Sequence, residues 1–488
     1  MQRQVSSTMV AIAAAVDKRG GNAIDALVLM LKTMRLQETE AFGVASPRET
    51  MVKKSVEKLR IGKIKANTAL GCAFSPIPKK ENPQLTKLEN ATMVFGGRMF
   101  TTKPKFPANL ASETDYEKTA ASILKTEGSY AFTIAEPHRV IAGRDVMGAY
   151  PLYYGENSTL AAFATQRKAL WKVKIEKAES CPPGHLTIAN QHGFTFKAVK
   201  TLPFPKPKPI SLWSASRRLG RILEKSVKQN VKGLKEIAVP FSGGLDSTLI
   251  AFLAKKTADV QLIHVSLERQ PETLHAKAVA EELKLPIHVR LYGEEDVAKV
   301  LPDVLWIAEA SDPLDAAIGV PVYWVSETAK HLGFNVLLSG QGADELFGGY
   351  RRHVEEYLEH GREKAEQALF NDVADNSKKN LERDFKICNF HNVELRLPFA
   401  TYQMAKFALS LPLELKIGAE SPFFRKIVLR QTAKNLGLPQ VVVERPKKAI
   451  QYATGVSKTI QKLARQEKTS VKAYLQRLFQ QKIELKAT

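Results

Sequence analysis

The chain has 488 residues, of which 72 are Lys or Arg and 50 are Asp or Glu, so its formal net charge at pH 7 is +22. This length suggests two or three domains, and no apolar stretch reaches the roughly 18 residues that a membrane helix needs. Cys72, Cys181 and Cys388 are too few and too widely spaced for a disulfide framework or a metal-ligand pattern, so we expect a reducing, cytoplasmic location.

The excess of positive charge suits a protein that attracts anionic substrates. A basic chain could also bind nucleic acid, but no compact Lys/Arg block with interleaved aromatic residues is present, although the tail after Ser457 is rich in Lys. Nucleic acid is therefore not expected as a main partner, and no membrane partner is expected.

The first predicted element is the apolar run Met9 to Val16 within SSTMVAIAAAVDKRGG. Among basic side chains only Arg3 precedes it, and charged residues follow at once, which does not fit a secretory signal. A buried strand is the better interpretation. The stretch NAIDALVLMLKTM then predicts a helix, because apolar residues recur in it at helical spacing.

The rest of residues 1–200 consists of β-rich runs separated by Gly or Asn turns, such as LENATMVFGG, GSYAFTIAEPHRVIAGRD and GENSTLAAFAT. This pattern predicts an α+β domain with much antiparallel sheet. In TLPFPKPKPISLW, residues 201–213, every second residue is a proline over four repeats, which favours an extended chain. We expect a linker at residues 201–210.

After the linker, strands and helices alternate. EIAVPFSGG is a strand into a glycine turn, DSTLIAFLAKKTA a helix, VQLIHVSL a strand, ETLHAKAVAEELKL a helix and PIHVRLY a strand. This order predicts an α/β fold with a doubly wound parallel sheet in residues 211–488, followed by a helical C-terminal part.

The strongest chemical signal is VPFSGGLDSTLIA, residues 239–251, in which a strand leads through two glycines into a helix. Glycines let the backbone approach an anion, and a helix N-terminus attracts it. Asp246 among phosphate donors suggests a bridging Mg²⁺ ion. The stretch lacks the GxxxxGK[ST] pattern of kinase-like loops. The alternative is a glycine turn with an Asp helix cap.

A second strand leads into glycines and carboxylates in LLSGQGADELFGGYRRH, residues 337–353. Parallel strands that each end in such a turn bring Asp246 and Asp344 to the carboxyl edge of one sheet, where ligands bind. The two side chains could then share magnesium. The alternative for Asp344 and Glu345 is a helix start, where acidic residues are favoured by the dipole.

Several motifs carry a resemblance to known proteins. SGGLDS resembles the pyrophosphate loop of the N-type ATP pyrophosphatases. SGQGADELFGGY, NLERDFKICNFHNVELRLPFA, ELKIGAESPFFRKIVLRQTAKNLGLP and RPKKAIQYATGV resemble, in order and spacing, segments of the asparagine synthetase family. The resemblance covers residues 211–456. It implies an ATP pyrophosphatase fold, ATP and Mg²⁺ as cofactors, and an AMP- and pyrophosphate-forming amide ligase.

The resemblance also implies roles for particular residues. Those that would hold pyrophosphate are Ser242, Gly243, Gly244, Asp246 and Ser247. Those that would line adenosine are Val265, Ser339 and Gly340, and those near the amino-acid substrate are Glu309, Asp312 and Glu345. Asp246 and Asp344 would bind Mg²⁺. Lys447 would stabilise the charge that develops as the acyl-adenylate forms, with Lys448 as the alternative.

Three departures from the family put the acceptor in doubt rather than the adenylation. Gln341 replaces a Glu that could act as a base, and a neutral amide cannot do so, although it can hydrogen-bond an intermediate. Thr401 stands where the family has Asp. Residues 314–317, LDAA, lack the Thr and Arg of bacterial glutamine-dependent forms.

Residues 1–200 resemble the class II glutamine amidotransferase domain, an Ntn-hydrolase-like layered sheet fold, through GSYAFTIAEPHRVIAGRDVMGAYPLYYG and CPPGHL. The residues that would hydrolyse glutamine are missing. Val10 occupies the nucleophile position, Gly96 and Arg98 replace an Asn and an acid, and Phe74 replaces an Arg. Asp115 remains, and Cys72 is not at the nucleophile position. We therefore expect no glutaminase activity.

The resulting hypothesis is asparagine synthesis from aspartate with ammonia, or an amine on the substrate, as nitrogen source. The alternatives are intramolecular amide formation of the β-lactam synthetase kind, another acyl-adenylating synthetase, an RNA-modifying pyrophosphatase and a catalytically silent paralogue. The sequence does not determine the acceptor, the amine donor, the role of the basic tail, or whether the chain forms a homodimer.

Overall fold

The computed structural model describes residues 10–34, 39, 41–59, 65–74, 85–100, 115–418, 425–446 and 448–487. The chain divides into two compact units, Met1–Thr201 and Leu202–Thr488. Among the described residues, no helix combines the length and the apolar character needed to cross a membrane.

The first unit consists of strands and a few helices. Its strands are β1 Val10–Asp17, β2 Ala41–Ala45, β3 Thr50–Lys53, β4 Thr68–Phe74, β5 Leu85–Lys87, β6 Thr92–Met99, β7 Gly128–Ala135, β8 Val140–Arg144, β9 Tyr153–Glu156, β10 Leu160–Ala164, β11 Glu179–Ser180, β12 His185–Asn190 and β13 Gly193–Ala198. Its helices are α1 Ile24–Thr33, α2 Tyr116–Lys125 and α3 Arg167–Lys172.

These strands form two antiparallel sheets, with the orders β11-β9-β10-β1-β4-β2-β3 and β13-β12-β8-β7-β6-β5. The sheets face each other through β1 and β4 on one side and β6 and β7 on the other. Helices α1 and α3 cover the outer face of the first sheet, and α2 covers that of the second. The predicted α+β architecture with antiparallel sheet is confirmed.

The apolar run near the N-terminus is the central strand β1. Because side chains alternate along a strand, Ala11, Ala13 and Ala15 pack against α1, while Ile12 points to the second sheet and lies against Gly96 of β6. Every residue from Val10 to Val16 is buried, which explains why all seven are apolar. The structure confirms both the strand and the helix predicted for this region.

The second unit opens with residues 202–211, which form neither helix nor strand. Its strands are β14 Glu236–Pro240, β15 Asp259–Leu267, β16 Ile287–Tyr292, β17 Val336–Leu338 and β18 Glu394–Arg396. Its helices are α4 Leu212–Val231, α5 Leu245–Ala254, α6 Pro271–Glu282, α7 Glu294–Ala308, α8 Pro313–His331, α9 Ala343–Phe347, α10 Arg351–Asn376, α11 Glu382–Phe390, α12 Tyr402–Leu409, α13 Ile427–Asn435, α14 Gln440–Val443, α15 Ile450–Ala453, α16 Val456–Gln466 and α17 Val471–Ala487.

All neighbouring strands of the second unit are parallel, in the order β16-β15-β14-β17-β18. The chain builds the sheet outward from β14 to β16 and then returns to the other side of β14 with β17 and β18. Helices α5 and α6 connect the strands on one side of β14, and α8 leads to β17 on the other side. Because crossovers between parallel strands are right-handed, the two sets of helices lie on opposite faces of the sheet. The point where the direction reverses lies between β14 and β17, which is where such sheets bind ligands.

Candidate active site

The first loop of the site joins β14 to α5. Gly243 has a φ of +68°, a left-handed conformation that glycine adopts without strain. Ser242 Oγ accepts a hydrogen bond from Gly244 N at 3.3 Å and lies 3.4 Å from Ser247 Oγ. The loop therefore combines the N-terminus of α5 with two neighbouring hydroxyl groups, a set of donors that suits a phosphate.

Two histidines hold the carbonyl groups of this loop. His264 on β15 donates from Nδ1 to Phe241 O at 2.9 Å, and His275 on α6 places Nε2 3.0 Å from Gly243 O. Burial lowers the pKa of His264 below its ordinary value, so the ring is neutral at pH 7, with Nε2 3.1 Å from Thr273 Oγ1. These contacts fix the loop by its carbonyl oxygens, which turns its N–H side towards the place where an anion would bind.

The second loop follows β17 and touches the first. A Cβ added to Gly340 would lie 3.0 Å from the Cβ of Asp246, closer than packed side chains normally come. Ser339 N donates to Arg396 O at 2.9 Å, which extends the pairing with β18, and Gln341 N donates to Ser339 Oγ at 3.2 Å. The structure thus brings Gly340, between Ser339 and Gln341, against Asp246 at the start of α5.

A lysine that the sequence reasoning missed lies between the two predicted metal ligands. Lys426 Nζ is 2.6 Å from Asp246 Oδ2 and 2.6 Å from Asp344 Oδ1. Its side chain is only 3% exposed, so the ion pairs are shielded from water. Gly349 makes room for this arrangement, because a Cβ there would lie 2.5 Å from Lys426 Cε.

The signal for Lys426 was available in the sequence. It lies in ELKIGAESPFFRKIVLRQ, one of the stretches that carried the family resemblance, just before α13. Arg430, on the next turn, donates through Nη2 to Arg445 O at 3.0 Å and also binds Val443 O. This helix therefore joins the two carboxylates to the basic segment that begins at Arg445.

Glu345 lies next to Asp344 in sequence but occupies a separate buried environment. Tyr350 donates its hydroxyl to Glu345 Oε1 at 2.5 Å, and Asn380 donates Nδ2 to the same oxygen at 2.8 Å. Burial and the neighbouring charge of Asp344 raise the pKa of Glu345 to about 7. Glu345 is thus a carboxyl group that can exist in both protonation states near neutral pH.

The structure describes only one of the two lysines considered for catalysis. Lys447 lies outside the described residues. Lys448 forms an ion pair with Glu272 at the start of α6. Burial by itself would raise the pKa of Glu272, but the hydrogen bond from Lys448 and the charge of Arg445 lower it, so the carboxylate is ionised. Because its ammonium is already bound, Lys448 is the poorer of the two candidates.

The remaining predicted residues are one apolar residue of β15 and two acidic residues at or near the ends of α7 and α8. Val265 is buried near the carboxyl end of β15, beside β14. Glu309 is buried and pairs with Lys386 Nζ at 3.1 Å, and Asp312 caps α8 by accepting from Leu314 N at 2.8 Å. Each of these two acids has a local structural partner.

The carboxylate pair can be compared with the needs of Mg²⁺. Asp246 and Asp344 are oxygen ligands close enough to share one ammonium, which matches the donor type that this ion prefers. Among the described residues no group of three or more His, Cys, Asp or Glu could hold a metal ion. Mg²⁺ usually takes one or two carboxylates together with substrate phosphates, so the residues fit an ion that binds with a nucleotide.

Comparison with known proteins follows the same division of the chain. Residues 218–365 and 355–484 match the family model for asparagine synthase, and residues 105–172 match that for a glutamine amidotransferase domain. Over 386 residues the chain is 33% identical to a putative asparagine synthetase (glutamine-hydrolyzing) of Methanocaldococcus jannaschii, which covers 70% of this chain and 71% of that protein. The chain belongs to the asparagine synthase family.

More distant relatives share the family. The asparagine synthetase (glutamine-hydrolyzing) of Gallus gallus is 26% identical over 380 residues, covering 70% of this chain and 65% of that protein. Among solved structures, a glutamine phosphoribosylpyrophosphate amidotransferase from B. subtilis has a TM-score of 0.34 at 14% identity, covering 58% of this chain and 81% of that chain.

The residues that the sequence resemblance aligns with an amidotransferase site lie on β1, β4 and β6 of the first unit. Val10 and Phe74 are buried partners on neighbouring strands, and the hydroxyl of Tyr150 donates to Val10 O. A Cβ at Gly96 would lie 2.7 Å from that hydroxyl oxygen, so Tyr150 fills the space beside Gly96. This part of the unit therefore presents apolar and phenolic groups where a glutaminase needs a nucleophile and polar donors.

The other residues that we considered for glutamine chemistry make contacts that stabilise the local structure. Asp115 caps α2 by accepting from Lys118 N at 3.0 Å. Arg98 lies on β6 opposite Ser129, with its guanidinium 5.4 Å from the centre of the Phe100 ring. Burial raises the pKa of the Cys72 thiol, which keeps it protonated and unreactive.

Proposed function

We propose that the chain is an ATP-dependent amide ligase that forms asparagine from aspartate, with ammonia as nitrogen source and AMP and pyrophosphate as products. The observation that carries the proposal is the meeting of two glycine loops, after β14 and β17, at the point where the strand order reverses. Asp246 and Asp344 of these loops share the ammonium of Lys426. The relatives are asparagine synthetases, and the alternative functions are not favoured.

The reaction has two steps. A carboxylate oxygen of aspartate attacks the α-phosphorus of ATP, the bond to the bridging oxygen breaks, and pyrophosphate leaves while the acyl-adenylate forms. Ammonia then attacks the acyl carbon, its extra proton is lost, and AMP leaves with the electrons of the acyl–oxygen bond. In this scheme Ser242, Ser247 and the N–H groups of residues 243–245 hold the departing pyrophosphate.

Charge control is the main task of the surrounding side chains. We assign Asp246 and Asp344 as the residues that would hold Mg²⁺, which would neutralise phosphate charge when it arrives with ATP. Lys426 bears positive charge at the same place, and in our proposal Lys447 stabilises charge on the reacting phosphate. Val265, Ser339 and Gly340 would line adenosine, and Glu309, Asp312 and Glu345 remain our candidates for the amino-acid side of the site.

Gln341 bears on the amine step. Because an amide cannot remove a proton, the attacking nitrogen must arrive as neutral ammonia or lose its proton to another group. We propose that Gln341 hydrogen-bonds the intermediate instead. The rate of asparagine formation should then rise with pH as more ammonia becomes neutral.

The nitrogen source follows from the first unit. We propose that residues 1–200 keep an Ntn-hydrolase-like amidotransferase fold without glutaminase activity, and that residues 201–210 link them to an ATP pyrophosphatase domain at 211–488. Val10, Phe74 and Tyr150 support this assignment, since none of them offers the nucleophile that glutamine hydrolysis requires. Three buried, free cysteines and the use of ATP support a cytoplasmic location.

The direct test is a product analysis. The protein is incubated with ATP, Mg²⁺, aspartate and ammonium chloride, and the expected products are asparagine, AMP and pyrophosphate in equal amounts. Replacing ammonium by glutamine should give no asparagine. Formation of ADP and phosphate, or of asparagine without AMP, would contradict the mechanism.

A further inference from the structure

The first turn of α6 contacts a segment of the chain that is distant in sequence. Glu272 in this turn forms an ion pair with Lys448, 176 residues later. The Glu272 side chain is 8% exposed, and its second oxygen, Oε2, is buried with no hydrogen-bond partner in the described part of the chain. The buried carboxylate therefore depends on Lys448 for most of its direct compensation, and loss of that partner would leave a buried charge unpaired.

The same turn also supports the phosphate loop. His275 Nε2 lies 3.0 Å from Gly243 O, and Thr273 Oγ1 lies 3.1 Å from the Nε2 of His264, whose Nδ1 binds Phe241 O. In this one helical turn, His275 contacts the loop after β14 directly and Thr273 contacts it through His264, while Glu272 binds the basic segment. These two parts of the chain share one rigid support.

The basic segment is held at its ends by other contacts. Arg430 binds Arg445 O at 3.0 Å, and Leu267 N at the end of β15 donates to Thr454 O at 3.1 Å. Between these two anchors, the ion pair of Lys448 with Glu272 joins the segment to α6. Breaking it should loosen the stretch around Lys448, while α15 stays packed against α8 and both ends stay attached.

We propose that Glu272 is a positioning residue for the ligase reaction: through Lys448 it fixes the basic segment, residues 445–456, against the same helical turn that supports the pyrophosphate loop. This inference rests on the proposed function. It explains how the positive charge of the segment is held near the reacting phosphates. Lys448 then serves as the tether, and its neighbour Lys447 remains the candidate that acts on substrate.

Five variants test the proposal, of which Lys448→Arg is described with the double variant below. Glu272→Gln and Lys448→Met each remove one charge of the pair, and their combination removes both. Glu282→Gln, at the exposed end of the same helix, is the matched control. Each single change should lower the kcat of pyrophosphate release by about tenfold or more, with the KM for ATP changed by less than about threefold, because misplacement of a charged segment affects the transition state more than ATP binding.

The double variant separates a shared role from two independent ones. If Glu272 acts through Lys448, the double variant should be no slower than the slower single variant, and Lys448→Arg should recover a large part of the rate lost in Lys448→Met. A double variant whose loss equals the product of the two single losses would overturn the proposal, as would a Glu272→Gln protein with the kcat of wild type.

Hydrogen exchange gives a readout that does not depend on activity. Peptides spanning residues 445–456 should exchange faster in Glu272→Gln and in Lys448→Met than in wild type or Glu282→Gln, while peptides from β14 and β15 should be unchanged if the fold is intact. Unchanged exchange in 445–456 would refute the tether. If wild type releases no pyrophosphate with any carboxylate, the proposed function is wrong, and the exchange experiment still decides whether the tether exists.

Discussion

The ammonium nitrogen of Lys426 lies 2.6 Å from Oδ2 of Asp246, a residue 180 positions earlier in the chain. The same nitrogen is 2.6 Å from Oδ1 of Asp344, so one buried cation neutralises half of the charge of two carboxylates. In the protein without nucleotide, this contact competes with any divalent ion for the same oxygens. A metal ion that enters together with ATP is also coordinated by the phosphate oxygens. It should therefore displace the Lys426 ammonium more easily than a metal ion alone.

The first prediction concerns metal binding without nucleotide. Lys426→Met removes the ammonium and leaves two carboxylates facing each other, a better site for a divalent ion than the wild-type arrangement. We expect Mn²⁺, used as a probe, to bind this variant about tenfold more tightly or better, because each charge pair at this distance is worth at least about 1 kcal/mol. Titration followed by electron paramagnetic resonance measures the affinity.

Two further variants control this experiment. Lys434→Met removes an exposed lysine from the same helix, α13, and should leave the Mn²⁺ affinity at the wild-type value. Asp246→Asn combined with Lys426→Met should abolish the gain, since one of the two carboxylates is lost. Equal Mn²⁺ affinities in wild type and Lys426→Met would show that Lys426 does not compete with the metal ion.

The second prediction concerns the phosphate loop. Asp246→Asn keeps the size of the side chain but removes the charge that would hold Mg²⁺ and that pairs with Lys426. Pyrophosphate release with aspartate and ammonia should fall by about a hundredfold or more, as expected when a charged group at the reacting centre is lost. Asp259→Asn, at the exposed start of β15, should react like wild type. A catalytically silent protein would show no difference between the two variants.

The sequence predicted those parts of the site that local order determines. A strand, a glycine turn and a helix start occupy consecutive residues, so SGGLDS and SGQGADE could be recognised from short stretches, and parallel strands bring their carboxyl ends to one edge of the sheet. The antiparallel first unit was likewise predicted from its β-rich runs and the Gly or Asn turns between them. In both cases the information lies within about ten residues, where pattern and backbone geometry are directly linked.

The parts that the sequence did not predict depend on contacts between distant segments. Lys426 reaches Asp246 across 180 residues, and Lys448, which the sequence offered as the alternative to Lys447, reaches Glu272 across 176. Both lysines lie in motifs that carry the family resemblance, but no local pattern names the partner of either. Burial distinguishes Lys426, which is 3% exposed, because a buried lysine needs a partner whereas an exposed one is solvated. For Lys448, which is 46% exposed, the buried member of the pair is Glu272. Glu309 is likewise buried, and its carboxylate is paired with Lys386 in the interior.

The third prediction concerns the nitrogen donor. Val10→Cys places a thiol at the position that the resemblance assigns to a nucleophile, but Tyr150 still binds the Val10 carbonyl oxygen and fills the space beside Gly96. We expect no release of glutamate from glutamine by this variant or by wild type, and the same ammonia-dependent rate for both. A coupled glutamate dehydrogenase assay measures the product. Glutamate release by wild type would contradict the assignment of the first unit.

The last prediction concerns stability and pH. Asp372 on α10 accepts hydrogen bonds from His353 Nε2 at 2.7 Å and Arg352 Nη2 at 2.6 Å, and its side chain is 8% exposed. Burial by itself would raise the pKa of Asp372, but these two donors outweigh it and lower the pKa to about 2. A carboxyl group with a lowered pKa in the folded state stabilises the protein above its unfolded pKa of about 4, and this contribution is lost as the pH falls towards 2.

Asp372→Asn should therefore lower the free energy of unfolding of the second unit by about 2 kcal/mol at pH 7, since each pKa unit corresponds to about 1.4 kcal/mol. The difference from wild type should shrink as the pH is lowered from 5 to 3, because the wild-type carboxylate gradually loses its advantage there. Urea unfolding at several pH values measures both quantities. Asp375→Asn, one turn along the same helix and half exposed, is the control and should cost less than about 0.5 kcal/mol. A constant difference across this pH range would contradict the prediction, because it would mean that the Asp372 charge itself contributes nothing.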